Sequence, residues 1–168
     1  MSRKKAVKPT IVKGWALYAH PLFIEQIVAL LNQVEREIAK GGDGWTKKRV
    51  ALRPARITEI VFDEIPTDPT NPRYRQGKTL GPKYKHWFRD NFYQRYRLFF
   101  RFSSEAKVIV YAWVNDDSTL RDSSNSKNDA YEVFKRKLEV GKVPDRWRDL
   151  LAESESLAGD RFVPGAED

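Results

Sequence analysis

Arginine and large apolar side chains alternate in the segment RYRLFFRF, residues 95–102. A period of two is typical of a β-strand with one face in a core and the other face directed outward. The core-facing residues would be Tyr96, Leu98, Phe100 and Phe102. The outward residues would be Arg95, Arg97, Phe99 and Arg101. Arginines that bind phosphates, beside an aromatic ring that can stack on a base, predict binding of single-stranded nucleic acid. A solvated basic face, or one covered by an acidic partner, is the alternative.

A second group of candidate residues precedes this strand. The segment KHWFRDNF, residues 85–92, is predicted to be a neighbouring strand and contributes Lys85, His86 and Arg89. A neutral imidazole near pH 7 can move a proton, so His86 is a candidate acid or base. The other histidine, His20, stands just before Pro21 at a predicted strand-to-helix junction, where a capping role is the more common one.

Two adjacent carboxylates, Asp116 and Asp117, follow the last predicted core strand. Carboxylates at a strand end can hold Mg²⁺, which would make a metal-dependent nuclease possible. Neighbouring Asp residues in a loop more often cap and form turns. We therefore expect no metal site, and the sequence indicates no cofactor.

The composition limits the class of protein. The chain has 168 residues, a net charge of +8 and no cysteine. Its size suits one domain, and the absence of cysteine excludes disulfide scaffolds, zinc fingers and thiol chemistry. No stretch approaches the roughly 20 apolar residues of a membrane span, so we expect a cytoplasmic protein without a membrane partner. The basic balance favours an anionic partner such as nucleic acid.

The periodicity predicts an α+β fold. We expect a strand at 11–20, helices at 21–40 and 45–65, strands at 85–92, 95–102 and 107–114, and helices at 129–141 and from Pro144. Pro54 should kink or restart the second helix. Strands joined by short turns are antiparallel, so we expect one curved antiparallel sheet with helices on one face and extra C-terminal helices. The predicted domain is 11–152, between a basic N-terminus (1–10) and an acidic disordered tail (153–168).

Several segments in the same order resemble one protein family. They are GWALYAHPLF (14–23), LG (80–81), RYRLFFRF (95–102), KVIVYAWVND (107–116), TLR (119–121) and DAYEVFKRKLEVGKVPDRW (129–147). Together they resemble the YhaV family of type II toxin–antitoxin toxins, within the wider RelE/ParE superfamily. This resemblance implies a β-α-α-β-β-β core with a C-terminal helix. It also implies an endoribonuclease that cleaves mRNA, mostly on ribosomes, without a metal.

The resemblance also implies roles for particular residues. Arg97 matches the superfamily's strand arginine that holds the scissile phosphate, and Arg89 matches a basic residue of the preceding strand. Asn91 stands where a further base is expected, which puts a strand-borne general base in doubt, and Lys85 or His86 could compensate. Arg121 and Tyr131 are the nearest matches to a later arginine and a tyrosine that stacks on the base or assists proton transfer. Lys135, one helical turn after Tyr131, could join them.

The remaining expectations concern partners and alternatives. The resemblance implies a PrlF-like antitoxin with an AbrB-type fold, and operator DNA bound only through the antitoxin complex. An acidic antitoxin segment over Arg95, Arg97 and Arg101 would block the phosphate sites. A non-catalytic nucleic-acid-binding module and a ParE-like toxin that targets gyrase are the alternatives, because one fold serves several functions.

Overall fold

The structure is a computed structural model that describes residues 10–41, 44–121 and 128–157, without the side chains of residues 45–48. Its fold is α+β, as the sequence predicts, with a six-stranded sheet between two layers of helices. None of the helices in this part of the chain is long and apolar enough to cross a membrane.

The first predicted strand is in fact a hairpin. Strand β1 (Thr10–Val12) pairs antiparallel with β2 (Trp15–Ala19), and Val12 lies opposite Trp15. Lys13 and Gly14 form the turn with φ angles of +52° and +87°. A two-residue turn with two left-handed residues favours glycine and suits the twist of a hairpin. The prediction of one strand over residues 11–20 is therefore wrong, because the chain reverses at Gly14.

The first helix is confirmed. Helix α1 spans Pro21–Ala39, and His20 is its N-cap. The Nδ1 atom of His20 accepts a hydrogen bond from the amide of Leu22 at 3.3 Å, and its Nε2 lies 3.3 Å from a carboxylate oxygen of Glu153. His20 is therefore a buried capping residue that also contacts the C-terminal helix.

The second helix does not break at its proline. Helix α2 spans Gly44–Glu59 and runs through Pro54, and a π-helical turn at Ile60–Glu64 leads into the short helix α3 (Ile65–Thr67). The predicted irregularity thus occurs after Pro54 and not at it. A π turn contains one extra residue, and here it lets the adjacent residues Ile60 and Val61 both enter the core.

The sheet is mixed. Strands β3 (Phe88–Phe92), β4 (Tyr96–Ser103) and β5 (Val108–Val114) form antiparallel pairs, as predicted. However, β2 runs parallel to β5, and the strand order is β1-β2-β5-β4-β3. The expectation of a wholly antiparallel sheet is therefore wrong. The helices between β2 and β3 return the chain to the far side of the sheet, and β5 then fills the centre beside β2.

Helices cover both faces of the sheet. On one face, α1 and α2 pack on a core that includes Leu17, Leu98 and Phe100. On the other face, helix α4 (Ala130–Glu139) and helix α5 (Trp147–Glu153) complete a second core. The C-terminal helices are present as predicted. The prediction that helices occupy only one face of the sheet is wrong, because α4 and α5 cover the other face.

This second core corrects the expected role of Phe99. The side chain of Phe99 is 0% exposed. Its ring stacks on Phe134 of α4 at 4.2 Å between ring centroids and on Trp113 at 6.0 Å. The alternation placed Phe99 on the correct face, but α4 covers that position. Phe99 is therefore a core residue and cannot stack on a base of RNA.

The C-terminal segment also departs from expectation. Strand β6 (Glu155–Ser156) pairs antiparallel with β2, and Leu157 is buried in the first core. The expectation of a disordered tail from residue 153 is therefore wrong up to Leu157. Residues 158–168, like residues 1–9 of the expected basic N-terminus, lie outside the described residues.

The aromatic stack under α4 gives a first prediction. Phe134→Ala removes the ring that joins Phe99, Trp113 and Trp87. We expect the free energy of unfolding, measured by urea denaturation, to fall by about 3–5 kcal/mol. Val140→Ala, at an exposed position just after α4, should change it by less than about 0.5 kcal/mol. A loss below about 1 kcal/mol for Phe134→Ala would show that the second core does not hold α4 on the sheet.

Candidate active site

The hydroxyl of Tyr131 is the point at which two arginines from different strands meet. The Nε atom of Arg89 on β3 donates to this oxygen at 2.9 Å, and the Nε atom of Arg97 on β4 donates to it at 3.2 Å. A phenol can accept two hydrogen bonds and donate one. Among the described residues no acceptor for the Tyr131 O–H is found, so its proton can be donated to a bound group.

A third arginine lies on the ring of the same tyrosine. The guanidinium carbon of Arg121 is 4.9 Å from the centroid of the Tyr131 ring, and that of Arg97 is 5.9 Å away. Both distances are typical of cation–π contacts. The edge of the ring packs against Phe99 at 5.5 Å between centroids. Tyr131 is therefore held by the core on one side and by cations on the other.

Backbone carbonyls hold the arginines in place. The Nη1 atom of Arg97 donates to the carbonyls of Gln94 and Tyr96 at 2.8 and 2.9 Å. The Nη1 atom of Arg89 donates to the carbonyl of Arg73 at 2.6 Å. These acceptors carry no net charge, so they leave the positive charges of Arg89 and Arg97 in place, and this pair suits an anion.

Asp129 positions Arg121 and the start of α4 together. One carboxylate oxygen accepts the amide N–H of Tyr131 at 3.0 Å and caps the helix. The other oxygen accepts from Nη1 of Arg121 at 2.8 Å. Asp129 is completely buried, and a buried charge is stable only with such partners. Nothing in the spacing identified Asp129 as the partner of Arg121, because the two residues are not close in the sequence.

Asn115 connects β4 to the loop that carries Arg121. Its side-chain oxygen accepts the amide of Arg97 at 2.6 Å, and its nitrogen donates to the carbonyls of Arg95 and Thr119 at 3.0 and 2.9 Å. The amide of Arg121 in turn donates to the carbonyl of Arg95 at 2.9 Å. The loop therefore lies directly against the start of β4, which accounts for the approach of Arg121 to Arg97.

Arg95 and Lys135 lie near the cluster without entering it. Arg95 is exposed in the β3–β4 turn, and its Nε donates to the carbonyl of Arg121 at 3.0 Å. Lys135 is half-buried on α4, one turn after Tyr131, and has no ion pair among the described residues. Asn91 is exposed on β3 opposite Arg97, so a neutral amide occupies the position where a base was expected.

His86 and Arg101 belong to a separate cluster around Asp145. Nε2 of His86 lies 2.6 Å from a carboxylate oxygen of Asp145, which also accepts the indole N–H of Trp87 at 2.8 Å. Arg101 donates to the Asp145 carbonyl and lies over the rings of Trp87 and Trp147.

Geometry separates this cluster from Tyr131. Arg101 is four residues from Arg97 along β4, which corresponds to about 13 Å at the rise of a strand. His86 precedes β3 at the same end of the sheet as Arg101, and Lys85 beside it is exposed. The structure thus brings together Arg89, Arg97, Arg121 and Tyr131, and places His86, Lys85 and Arg101 elsewhere.

The adjacent carboxylates act as turn formers. Asp116 caps a short 3-10 turn by accepting hydrogen bonds from Ser118 and Thr119. Burial acts to raise the pKa of Asp116, but these hydrogen bonds outweigh it and the pKa lies below its usual value. Asp117 accepts from the hydroxyl of Tyr96 and lies 3.5 Å from Arg53. Within the described ranges, no group of three or more His, Asp or Glu side chains is arranged to hold a metal ion.

Behind Arg89, the opposite face of β3 carries a buried carboxylate. The pKa of Asp90 is raised from its ordinary 3.8 to about 6, first by burial and second by the nearby carboxylate of Glu64. Arg56, Arg73 and Arg89 oppose this shift. The Oδ2 atom of Asp90 is buried with no hydrogen-bond partner among the described residues, which is consistent with a carboxyl group that binds a proton readily.

The raised pKa predicts a pH-dependent stability. Because the folded-state pKa lies above the unfolded value, protonation of Asp90 stabilises the fold fully below pH 3.8 and this contribution is lost as the pH rises through about 6. We expect the stability of the wild type relative to Asp90→Asn to fall by up to about 3 kcal/mol between about pH 4 and pH 7. Urea denaturation at each pH measures it, with Asp149→Asn on α5 as the exposed control. Parallel pH profiles for the wild type and Asp90→Asn would contradict this assignment.

Known proteins resemble this chain over most of its length. It matches the family Toxin_YhaV, described as a toxin with endonuclease activity of a toxin–antitoxin system, over residues 17–155. It is 42% identical over 149 residues to Ribonuclease toxin YhaV of Escherichia coli strain K12, which covers 88% of this chain and 96% of the relative. The same identity and coverage hold for Toxin YhaV of Escherichia coli O6:H1 strain CFT073. No solved structure matches the chain.

The matched region contains all the residues of the arginine cluster around Tyr131. The family match extends from β2 to β6 and therefore contains Arg89, Arg97, Arg121 and Tyr131. It also covers more than half of the chain, and the chain belongs to the YhaV family of toxins of toxin–antitoxin systems.

Proposed function

We propose that this chain is an endoribonuclease toxin, an mRNA interferase that inhibits growth by cutting mRNA, principally during translation on ribosomes. The observation that carries the proposal is the convergence of Arg89, Arg97 and Arg121 on Tyr131. Their joint positive charge fits a phosphodiester. The family's description as a toxin with endonuclease activity, and the name of the K12 relative as a ribonuclease toxin, support the same reading.

The chemistry requires no metal in this proposal. The ribose 2′-hydroxyl gives its proton to water as its oxygen attacks the adjacent phosphorus in line. The P–O5′ bond breaks, the departing 5′-oxygen takes up a proton, and the products are a 2′,3′-cyclic phosphate and a 5′-hydroxyl. The pentacoordinate phosphorane gains negative charge on its non-bridging oxygens. Preorganised guanidinium groups stabilise that charge, and correct positioning of the attacking oxygen supplies a large part of the rate.

Each residue of the cluster has a distinct part in this reaction. Arg97 binds a non-bridging oxygen of the scissile phosphate. Two backbone carbonyls fix its guanidinium beside Tyr131, and these neutral acceptors leave its positive charge in place. Arg89 adds positive charge at the Tyr131 hydroxyl, and the guanidinium of Arg121 lies over the Tyr131 ring. Tyr131 donates its remaining proton to the departing 5′-oxygen, since two arginine N–H groups already occupy its acceptor positions.

The fold and the partners complete the proposal. We propose that the fold is RelE/ParE-like, and the chain order of a hairpin, a helix pair, three strands and a helix supports this proposal. Membership of a toxin–antitoxin family implies an antitoxin, which we propose to be PrlF-like with an AbrB-type fold, and to connect the toxin with operator DNA. An acidic segment of that antitoxin would bind the exposed Arg95 and the adjacent Arg97 in the cytoplasm. Arg101 fits this contact less well, because Trp87 and Trp147 cover it.

Two other functions remain distinguishable by experiment. A non-catalytic RNA- or DNA-binding module would use the same arginines without cutting, and a ParE-like toxin would act on gyrase. Only the ribonuclease creates new 5′-hydroxyl ends in cellular RNA. Mapping of 5′ ends after induction therefore separates the ribonuclease from the other two functions.

The central variant is Arg97→Ala. Loss of its guanidinium removes the phosphate ligand while the backbone contacts of β4 remain, so we expect RNA cleavage to fall by at least about a hundredfold and growth arrest on expression to disappear. The free energy of unfolding should change little beside these effects. Cleavage of mRNA in a translating cell extract and growth of induced cultures provide the two measurements.

Arg148→Ala is the matched control for that experiment. It removes the same charge from an exposed position on α5 and should leave cleavage and toxicity unchanged. If Arg97→Ala arrests growth as strongly as the wild type, the assignment of the site is wrong. If excess EDTA abolishes wild-type cleavage, the metal-independent chemistry is wrong and the carboxylates of Asp116 and Asp117 become the next residues to test.

A further inference from the structure

The β3–β4 turn has an unusual residue at its tip. Tyr93 and Gln94 have φ angles of +44° and +65°, in the left-handed region. Left-handed positions in hairpin turns favour asparagine and glycine, and bulky residues are rare there. Backbone strain of this type often occurs at functional sites. The turn therefore holds a tyrosine where a smaller residue would form the turn more easily.

The ring of Tyr93 is exposed but fixed in orientation. The side chain is 49% exposed. Its hydroxyl donates to the carbonyl of Leu52 on α2 at 3.4 Å, and its ring packs at 59° to that of Phe92, with 5.7 Å between centroids. A rigid, exposed aromatic face is the type of surface on which bases of single-stranded nucleic acid stack.

Beside this ring lies a groove of about 480 Å³ between α1, α2 and the end of the sheet. Its lining includes Tyr93, Tyr96, Arg49, Arg53, Glu37 and Asp117. Arg53 lies over the Tyr96 ring at 5.0 Å and 3.5 Å from Asp117. The groove thus offers both donors and acceptors without a strong excess of positive charge. Such a lining suits the edge of a base, which has donors and acceptors, better than a phosphate.

The same turn connects the groove to the arginine cluster. The carbonyls of Gln94 and Tyr96, on either side of Arg95, accept the two hydrogen bonds from Nη1 of Arg97. Tyr96 and Arg97 are adjacent on β4 and face opposite sides of the sheet. A single strand of RNA that crosses the exposed β3–β4 turn would therefore have one phosphate at Arg97 and a neighbouring base at Tyr93.

We propose that Tyr93 and this groove bind a nucleobase of single-stranded RNA next to the phosphate held by Arg97. This inference rests on the proposed ribonuclease function and identifies the part of the protein that contacts the RNA beyond the scissile bond. Arg97 and its neighbours bind phosphate in any sequence. Contacts in the groove would contribute affinity and a preference for the base.

Tyr93→Asn tests the inference, because binding and folding should change in different directions. Asparagine favours the left-handed turn, so the urea midpoint should be equal to or above that of the wild type. Loss of the ring should weaken binding by about tenfold, within the usual range for one base stacked on an aromatic side chain. Binding is measured by fluorescence anisotropy with a short single-stranded RNA whose 2′-fluoro sugars prevent attack on the phosphate.

Three further proteins make the result specific. Tyr93→Phe keeps the ring and should bind within about twofold of the wild type, since stacking requires only the aromatic face. Ile11→Ala, at a 65% exposed position on the opposite edge of the sheet, should bind as the wild type does. Arg97→Ala should weaken binding through the phosphate.

The outcomes separate this inference from the proposed function. If Arg97→Ala weakens RNA binding and Tyr93→Asn does not, the base subsite is overturned and the ribonuclease proposal stands. If Tyr93→Asn binds RNA normally but no longer binds the antitoxin, the groove is a protein interface and the inference is again overturned. If the wild type neither binds nor cuts RNA, both proposals are wrong.

Discussion

The site depends on one oxygen atom, the hydroxyl of Tyr131, which accepts hydrogen bonds from two arginines at once. The two donating nitrogens are therefore within about 6 Å of each other, where like charges repel by about 3 kcal/mol at an effective dielectric constant of 20. The shared oxygen and the carbonyls of Arg73, Gln94 and Tyr96 offset that repulsion without neutralising it. The protein thus holds a concentrated positive charge ready for an anion.

The two-sided sheet makes this arrangement possible. Helix α4 covers the face of β4 that carries Phe99, and the stack of Phe99 on Phe134 fixes the helix on the sheet. The same helix begins at Asp129, whose carboxylate holds Arg121, and it carries Tyr131 in its first turn. One helix therefore closes the second core and completes the cluster, so the packing of the core and the geometry of the cluster are coupled at its N-terminus.

Local patterns predicted the elements, and contacts distant in sequence decided the site. The helical periodicity was sufficient to predict α1, and the period of two was sufficient for β4 and β5. The reversal at Gly14 was not recognised, because a glycine inside an apolar run also fits a single strand. Alternation alone identifies a face of a strand but not what covers it, and for that reason Phe99 was placed in solvent. The resemblance suggested Arg97 and Tyr131, whereas the partnership of Asp129 with Arg121 requires the folded chain.

The most direct measurement of the central claim is RNA cleavage by Tyr131→Phe, which removes one oxygen and leaves the ring against Phe99. Without that oxygen, Arg89 and Arg97 lose their shared acceptor and the leaving group loses its proton donor. The account predicts that the cleavage rate at saturating RNA falls by about a hundredfold or more. The circular dichroism spectrum should stay that of the wild type, which shows that the fold is retained. Cleavage within about threefold of the wild-type rate would contradict it, because a hydroxyl that contributes so little cannot be the catalytic acid.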